Sequence, residues 1–224
     1  MIRVFIGVDE RAPLAYTVLQ SSIVRRSSVP VQITPLILKQ LPLLRTGLTQ
    51  FTYSRYLVPY LCNYEGWGIF IDADMLCLTD INDVLEQAKS NGDAVSVVKN
   101  EKRFEWPSLM VFNNEKCKTL TPEYIETGKP QTMEWADSVG GLSGEYNHLV
   151  GYDEPNQNAK IIHYTQGVPC WYETEDCEFA SEWKEEKESA LKTCTWTDLM
   201  GNSIHAIPVL KRMLAKYELA MKKQ

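Results

Sequence analysis

Long apolar runs are missing from this chain. No stretch approaches the ~18 consecutive apolar residues that a membrane-spanning helix requires, so an integral helical membrane protein is not expected. Basic excess is missing too. Lys and Arg total 23 against 29 for Asp and Glu, a formal net charge of −6, which argues against a broad nucleic-acid surface. The six cysteines (Cys62, Cys77, Cys117, Cys170, Cys177, Cys194) form no CxxC pair. That suggests neither a zinc ribbon nor a small disulfide framework, leaving a reducing cytoplasm as the simplest compartment. No glycine-rich phosphate loop follows the first apolar run, which counts against a nucleotidyltransferase. Internal repeats and low-complexity tracts are absent. The opening Met1-Ile2-Arg3-Val4-Phe5-Ile6-Gly7-Val8-Asp9 is too short for a signal peptide and reads as a first strand.

What remains is an ordinary globular composition. The 224 residues are 44% apolar and 23% charged, which suits one α/β domain, or one domain with a small helical appendage. Six Trp and eleven Tyr are compatible with a pocket that stacks sugars or bases, although core packing accounts for most such rings.

The stretch around which the chain is organised is Gly68-Ile69-Phe70-Ile71-Asp72-Ala73-Asp74. Its apolar run reads as a central strand buried on both faces. It stops at two carboxylates spaced i, i+2, which on a strand point to the same side. Asp72 and Asp74 can then share one ligand at the strand's carboxyl end, where open α/β sheets bind ligands. Two like charges held so close repel, and a divalent cation removes the conflict; oxygen ligands suit magnesium or manganese. A solvated Asp pair at a strand end is the ordinary alternative.

Around this strand the pattern alternates. Leu14, Val18, Leu19 and Ile23 have helical spacing behind Pro13. Val31 to Leu38 predicts a second strand, irregular or at an edge because of Pro35. Phe51 to Cys62 has helical periodicity marred by Pro59. Asp80 predicts an N-cap for a helix to about Ser90, and Ala94 to Val98 a buried strand. This strand–helix alternation predicts a mainly parallel sheet with helices on both faces. Ser108 to Phe112 reads as a short strand, Glu115 to Glu126 as a helix, 128–158 as loops around a site, and Lys160 to Tyr164 as a further strand. A charged helical face, Glu182 to Lys187, and a last helix over 206–223 complete the chain. The expected division is a catalytic domain over 1–172 and a helical extension over 173–224 packed on it.

Five landmarks in order resemble the nucleotide-sugar glycosyltransferases of the GT-A (Rossmann-like) fold, most closely the family 8-like group that includes glycogenin and bacterial galactosyltransferases. They are Val8-Asp9-Glu10 after the first strand, Thr52-Tyr53-Ser54-Arg55-Tyr56-Leu57, Ile71-Asp72-Ala73-Asp74, Val111-Phe112-Asn113, and Ile162-His163-Tyr164-Thr165-Gln166-Gly167 with Trp171 downstream. The resemblance implies donor contacts from Val8, Asp9, Arg55, Asp72, Ala73, Asn113 and Gly167. It implies a metal site of Asp72, Asp74 and His163 holding Mn2+ (or Mg2+). Independently, His163 follows an apolar strand as Asp72 does, so both can reach one rim. Glu134 and Asp137, in Met133-Glu134-Trp135-Ala136-Asp137, are the nearest candidates for acidic residues facing the reacting sugar.

The chain also departs from that pattern. Ala12 stands where a base-stacking tyrosine is expected. Asn114 and Glu115 replace a glycine after Asn113, and Gly167 falls one position late. The lysine expected near Pro169 is missing. The expected function is metal-dependent transfer of a hexose, with retention, from a nucleoside diphosphate sugar (UDP-linked) to a glycan, lipid or protein acceptor. A non-catalytic nucleotide-sugar or glycan-binding module, and a haloacid-dehalogenase-type phosphatase, are the alternatives.

Overall fold

A computed structural model describes residues 1–222 of the chain. It comprises two compact units, Met1–Ala190 and Leu191–Gln224. The expected domain boundary at 172 falls inside the first unit, and position 223 of the expected last helix lies outside the described residues.

In the first unit, β1 (Ile2–Gly7) leads into α1 (Pro13–Arg26), which has Pro13 in its first turn and buries Ala15, Val18, Leu19, Ser22 and Ile23. This i, i+3, i+4, i+7 spacing is the stripe that a core-facing helix needs. Next come β2 (Val31–Leu36), the one-turn α2 (Val58–Leu61), β3 (Trp67–Asp72), β4 (Met75–Cys77) and α3 (Ile81–Asn91). The Asp80 carboxylate caps α3 by accepting from Asn82 N–H, and Gly92 ends it in the left-handed region at φ 72°, where a side chain would be strained. Then follow β5 (Val95–Val98), β6 (Leu109–Asn113), α4 (Pro122–Thr127), β7 (Val139–Leu142), β8 (His148–Leu149), β9 (Ile161–His163) and α5 (Ala180–Ala190).

Six strands form the main sheet in the order β2-β1-β3-β6-β5-β7. The β1/β2, β1/β3 and β5/β7 pairs are parallel, whereas β6 runs antiparallel to both neighbours. The expected edge position of the proline-bearing strand is observed at β2. One apolar cluster, with Val18, Leu19, Ile71, Val84 and Trp183, covers one sheet face; another, with Tyr56, Phe70, Phe112 and Trp135, covers the other. A small sheet, β4-β9-β8, stands beside them.

Several local expectations are corrected. Phe51 to Cys62 is not one helix but a turn, a 3-10 segment (Ser54–Leu57) and α2. Pro59 lacks the N–H that a continuous helix would use, so the chain restarts there. Likewise, Pro122 and its Thr121 cap start α4 late and shorten the helix expected from Glu115. The stretch 128–158 contains β7 and β8 as well as loops; β7, Val-Gly-Gly-Leu, is too short and glycine-rich to announce itself.

The second unit holds α6 (Trp196–Met200), opened by a Thr195–Asp198 capping box, and α7 (Ala206–Met221).

Candidate metal and donor site

Asp72 is the last residue of β3, and Asp74 lies in the two-residue turn that enters β4. The two carboxylates are thus brought together by a turn between sheets rather than by the pleat of one strand. Antiparallel pairing of β4 with β9 sets Met75 opposite His163, and Tyr164 N–H donates to the Asp74 carbonyl at 3.0 Å. As a result, ligand atoms of Asp72, Asp74 and His163 lie within 4.8 Å of one another.

The electrostatics of this cluster are unbalanced. Asp72 and His163 are buried. Oδ1 of Asp72 and Oδ1 of Asp74 are buried acceptors without a hydrogen-bond partner. Arg55 Nη2 is 3.1 Å from Asp72 Oδ1, close enough for charge attraction but not aligned as a hydrogen bond. His163 Nε2 is 3.5 Å from Asp74 Oδ1. Burial pushes the Asp72 carboxyl up to about 7, with Arg55 opposing and Asp74 reinforcing the rise. Burial alone would lower the His163 pKa, but Asp74, Asp72 and Glu105 outweigh it and the net shift is upward. Orphaned carboxylate oxygens beside an imidazole nitrogen fit a divalent cation, which would satisfy all three.

Two residues that sequence reasoning missed complete the setting. Asn147 Oδ1 lies 3.0 Å from His163 Nδ1, while Asn147 Nδ2 donates to the Glu105 carbonyl at 3.3 Å. That second bond sets the amide's orientation, so Oδ1 accepts from Nδ1–H and Nε2 is left to face Asp74. The Glu105 carboxylate accepts from Ser108 Oγ at 3.0 Å and sits 3.8 Å from His163 Nδ1. Neither residue lies in a periodic segment or a motif, so no sequence signal marks it.

A cleft of about 500 Å³ opens beside the cluster, its walls including Asp9, Phe51, Ala73, Asp74, Gly167 and Trp171. Gly167 has φ 119°, and a Cβ there would lie 2.3 Å from the Trp171 ring. Arg11 also lines the cleft and holds Asp9 through two parallel bonds of 2.8 and 2.6 Å. These bonds keep the Asp9 carboxyl below its ordinary range.

Of the expected donor residues, Asp9, Ala73 and Gly167 line this cleft, as does the metal candidate Asp74. Arg55 lies against Asp72, packed near Phe51 and Phe70. Val8 is buried, with its N–H bonded to the Leu36 carbonyl. Asn113 is not brought to the site. Because β6 runs antiparallel to β3, Asn113 pairs with Trp67 at the far end of the strand, while Leu109 pairs with Ile71. Asp137 immediately precedes Ser138, whose carbonyl and hydroxyl meet the first residues of β5. It therefore stands at the amino ends of β5 and β7, away from the carboxyl-end rim. Glu134 is exposed in a turn between Met133 and Trp135, which are buried in the core against Phe112 and Tyr56.

The sheet order, the lone antiparallel strand and the carboxylate-bearing turn define a GT-A glycosyltransferase fold. Solved structures share it. The bifunctional glycosyltransferase WbbM matches with a TM-score of 0.63 at 15% identity, over 94% of this chain and 51% of that one. The glycosyltransferase GlyE of Streptococcus pneumoniae TIGR4 matches at 0.60 and 17%, over 86% of this chain and 60% of that one. The galactosyltransferase LgtC, in complex with donor and acceptor sugar analogs, matches at 0.56 and 9%, over 88% and 99%. This chain thus spans about half the WbbM chain and 60% of GlyE. No family model matches the chain. By sequence it is 34% identical over 227 residues to Protein CDI of Arabidopsis thaliana, covering 83% of this chain and 86% of that protein. The chain belongs to the family of Protein CDI.

Proposed function

We propose that this protein is a metal-dependent glycosyltransferase that moves a hexose from a nucleoside diphosphate sugar, UDP-linked, to a glycan, lipid or protein acceptor with retention of configuration. The observation that carries this reading is the convergence of Asp72, Asp74 and His163 beside the cleft. The shared fold supports it, and the cleft falls within the ~300–1,000 Å³ of ordinary small-molecule sites. A divalent cation, manganese or magnesium, supplies Lewis acidity that offsets charge on a departing diphosphate.

The chain's own residues divide the remaining work. Asp72, Asp74 and His163 hold the cation, and Arg55 supports Asp72 from beneath. Phe51 and Trp171 offer apolar walls to the donor. Retention is supported by the scarcity of an uncommitted carboxylate base at the rim among the described residues. Asp9 pairs with Arg11, Asp72 with Arg55, Asp74 faces His163, and Glu105 accepts from Ser108. A one-face reaction, with the departing diphosphate oxygen taking the acceptor's proton, needs no such base. In this reading residues 1–172 form the catalytic domain and 173–224 a helical extension. All six cysteines are free, which supports a reducing compartment such as the cytoplasm.

The test is turnover of a panel of nucleotide sugars with and without manganese. Asp74→Asn is expected to abolish metal-dependent turnover with little change in melting temperature, because its carboxylate sits in a rim turn. Normal manganese-dependent turnover by that variant would overturn the assignment. For stereochemistry, the anomeric proton coupling of the first-formed product decides; a β product from an α-linked donor excludes retention.

One feature favours a second reading, a nucleotide-sugar-binding module. Among the described residues lining the cleft, the one cation is Arg11, and it is paired with Asp9. Donor binding without turnover under any metal would select that reading.

A further inference from the structure

The second unit presents a surface that the cleft chemistry leaves unexplained. Of the twenty-one large apolar residues exposed among the described residues, ten lie at or beyond Leu191. Ile207, Met213, Leu214, Tyr217 and Met221 of α7 are each at least half exposed. At the helical repeat of 3.6 residues these side chains, with Val209 and Leu210, fall within an arc of about 160°. Lys216 and Arg212 border one side of the arc, and Lys211 and Lys222 the other, all four exposed. The helix's single acid, Glu218, falls at the edge of the arc beside Lys211 and Lys222, and the remaining face carries Ala215 and Leu219.

Among the described residues of its own unit, α6 packs against α7 but is too short to cover the whole of this arc. The other helix there, α6, has five residues, and a unit of this size falls below the ~40 residues usually needed for an independent core. Charge selects the occupant. The helix with its C-cap Lys222 carries four cations against one acid, within a chain whose formal net charge is −6. Two copies meeting through this face would bring cation rows together, whereas an anionic surface complements them. An apolar arc bordered on both sides by Lys and Arg is also the pattern of a helix that lies in a membrane interface, apolar face down and cations at headgroup level. No described helix is long and apolar enough to cross a membrane, so contact through α7 would be in plane.

We infer that α7 is an in-plane docking element for an anionic lipid surface. Its apolar arc enters the headgroup boundary, and Lys211, Arg212, Lys216 and Lys222 engage lipid phosphates and carboxylates.

The experiment is co-sedimentation of the full chain with vesicles of phosphatidylcholine alone or with one lipid in three replaced by phosphatidylserine. The chain is expected to sediment with the anionic vesicles at least tenfold more tightly than with the neutral ones, and binding should weaken as salt rises. Leu214→Gln and Leu219→Gln make the same chemical change on opposite faces. Leu214→Gln should lower binding at least fivefold and Leu219→Gln should leave it nearly unchanged. Replacing Lys211 and Arg212 together by Gln should cost about tenfold. Circular dichroism of each variant checks that the helix persists. Where Leu214→Gln loses helix, the Lys211 and Arg212 replacement decides, since it leaves the apolar arc intact. Equal binding to both vesicle types, or equal loss from the two Leu variants with helix retained, overturns the inference. Absence of vesicle binding, with or without concentration-dependent dimerisation, overturns it too, and dimerisation would assign the face to a second copy.

Discussion

His163 Nδ1 lies 3.0 Å from Asn147 Oδ1, and both residues are almost completely buried. The bond commits one ring nitrogen and leaves Nε2 to face the carboxylates. Partners of this kind typically change metal affinity by ~10–100-fold. Asn147→Ala should therefore raise the manganese concentration for half-maximal activity by at least ~10-fold while sparing turnover at saturating metal. A metal titration that superimposes on wild type would show that Asn147 does not position the ring.

The same cluster predicts a pH-dependent response to metal. Burial raises the Asp72 carboxyl to about 7, so the folded protein retains a proton that the unfolded chain releases near pH 4. Stability of the metal-free protein should fall as pH rises from about 4 to about 7. His163 acts in the same direction. Its folded pKa is raised, so its contribution is full below the ordinary histidine range and is lost as pH rises through the raised value. A cation held by the deprotonated groups would reverse the loss. Melting scans should show a larger gain from manganese at pH 8 than at pH 5.5, by several degrees, and Asp72→Asn should reduce that difference. Equal gains at both pH values would contradict it.

Arg55 and Asp72 form a buried pair, with side chains 10% and 8% exposed. Removing one partner of such a pair leaves an uncompensated charge and costs about 3 kcal/mol. Protonation of Asp72 softens that cost, so the loss should grow with pH. We expect Arg55→Ala to destabilise by about 2–3 kcal/mol at pH 8, and the double variant Arg55→Ala/Asp72→Asn by less than the sum of its parts. Denaturant unfolding of the four proteins measures the coupling; strict additivity would mean that the contact carries no energy.

Gly167→Ala tests the cleft wall. At φ 119°, with the Trp171 ring 2.3 Å from the built Cβ, any side chain must displace that ring and adopt a strained backbone, at a cost of about 1–3 kcal/mol. The expected result is altered Trp171 fluorescence and weakened nucleotide-sugar binding. Wild-type affinity and emission together would argue that neither residue shapes the donor site.

Much of this fold was legible in local chemistry. The Ile69-Phe70-Ile71 run, the Leu14 to Ile23 stripe, the Asp80 cap and Pro35 act over a few residues, and each produced the element expected of it. The Asp72, Asp74 and His163 constellation was legible too, through the order of landmarks that carries the family resemblance and because Asp72 and His163 each end an apolar run. Long-range register decided the rest. The antiparallel course of β6 carries Asn113 to the wrong end of the sheet, a direction that five residues in sequence cannot encode. The parallel pairing of β7 places Asp137 at the amino-end edge. The β4–β9 ladder sets Met75 against His163 across more than eighty residues of chain, and the fold of the intervening segment delivers Asn147 and Glu105 behind the imidazole. Side-chain type and local spacing set which groups can bind; only the pairing of distant strands determined which of them meet.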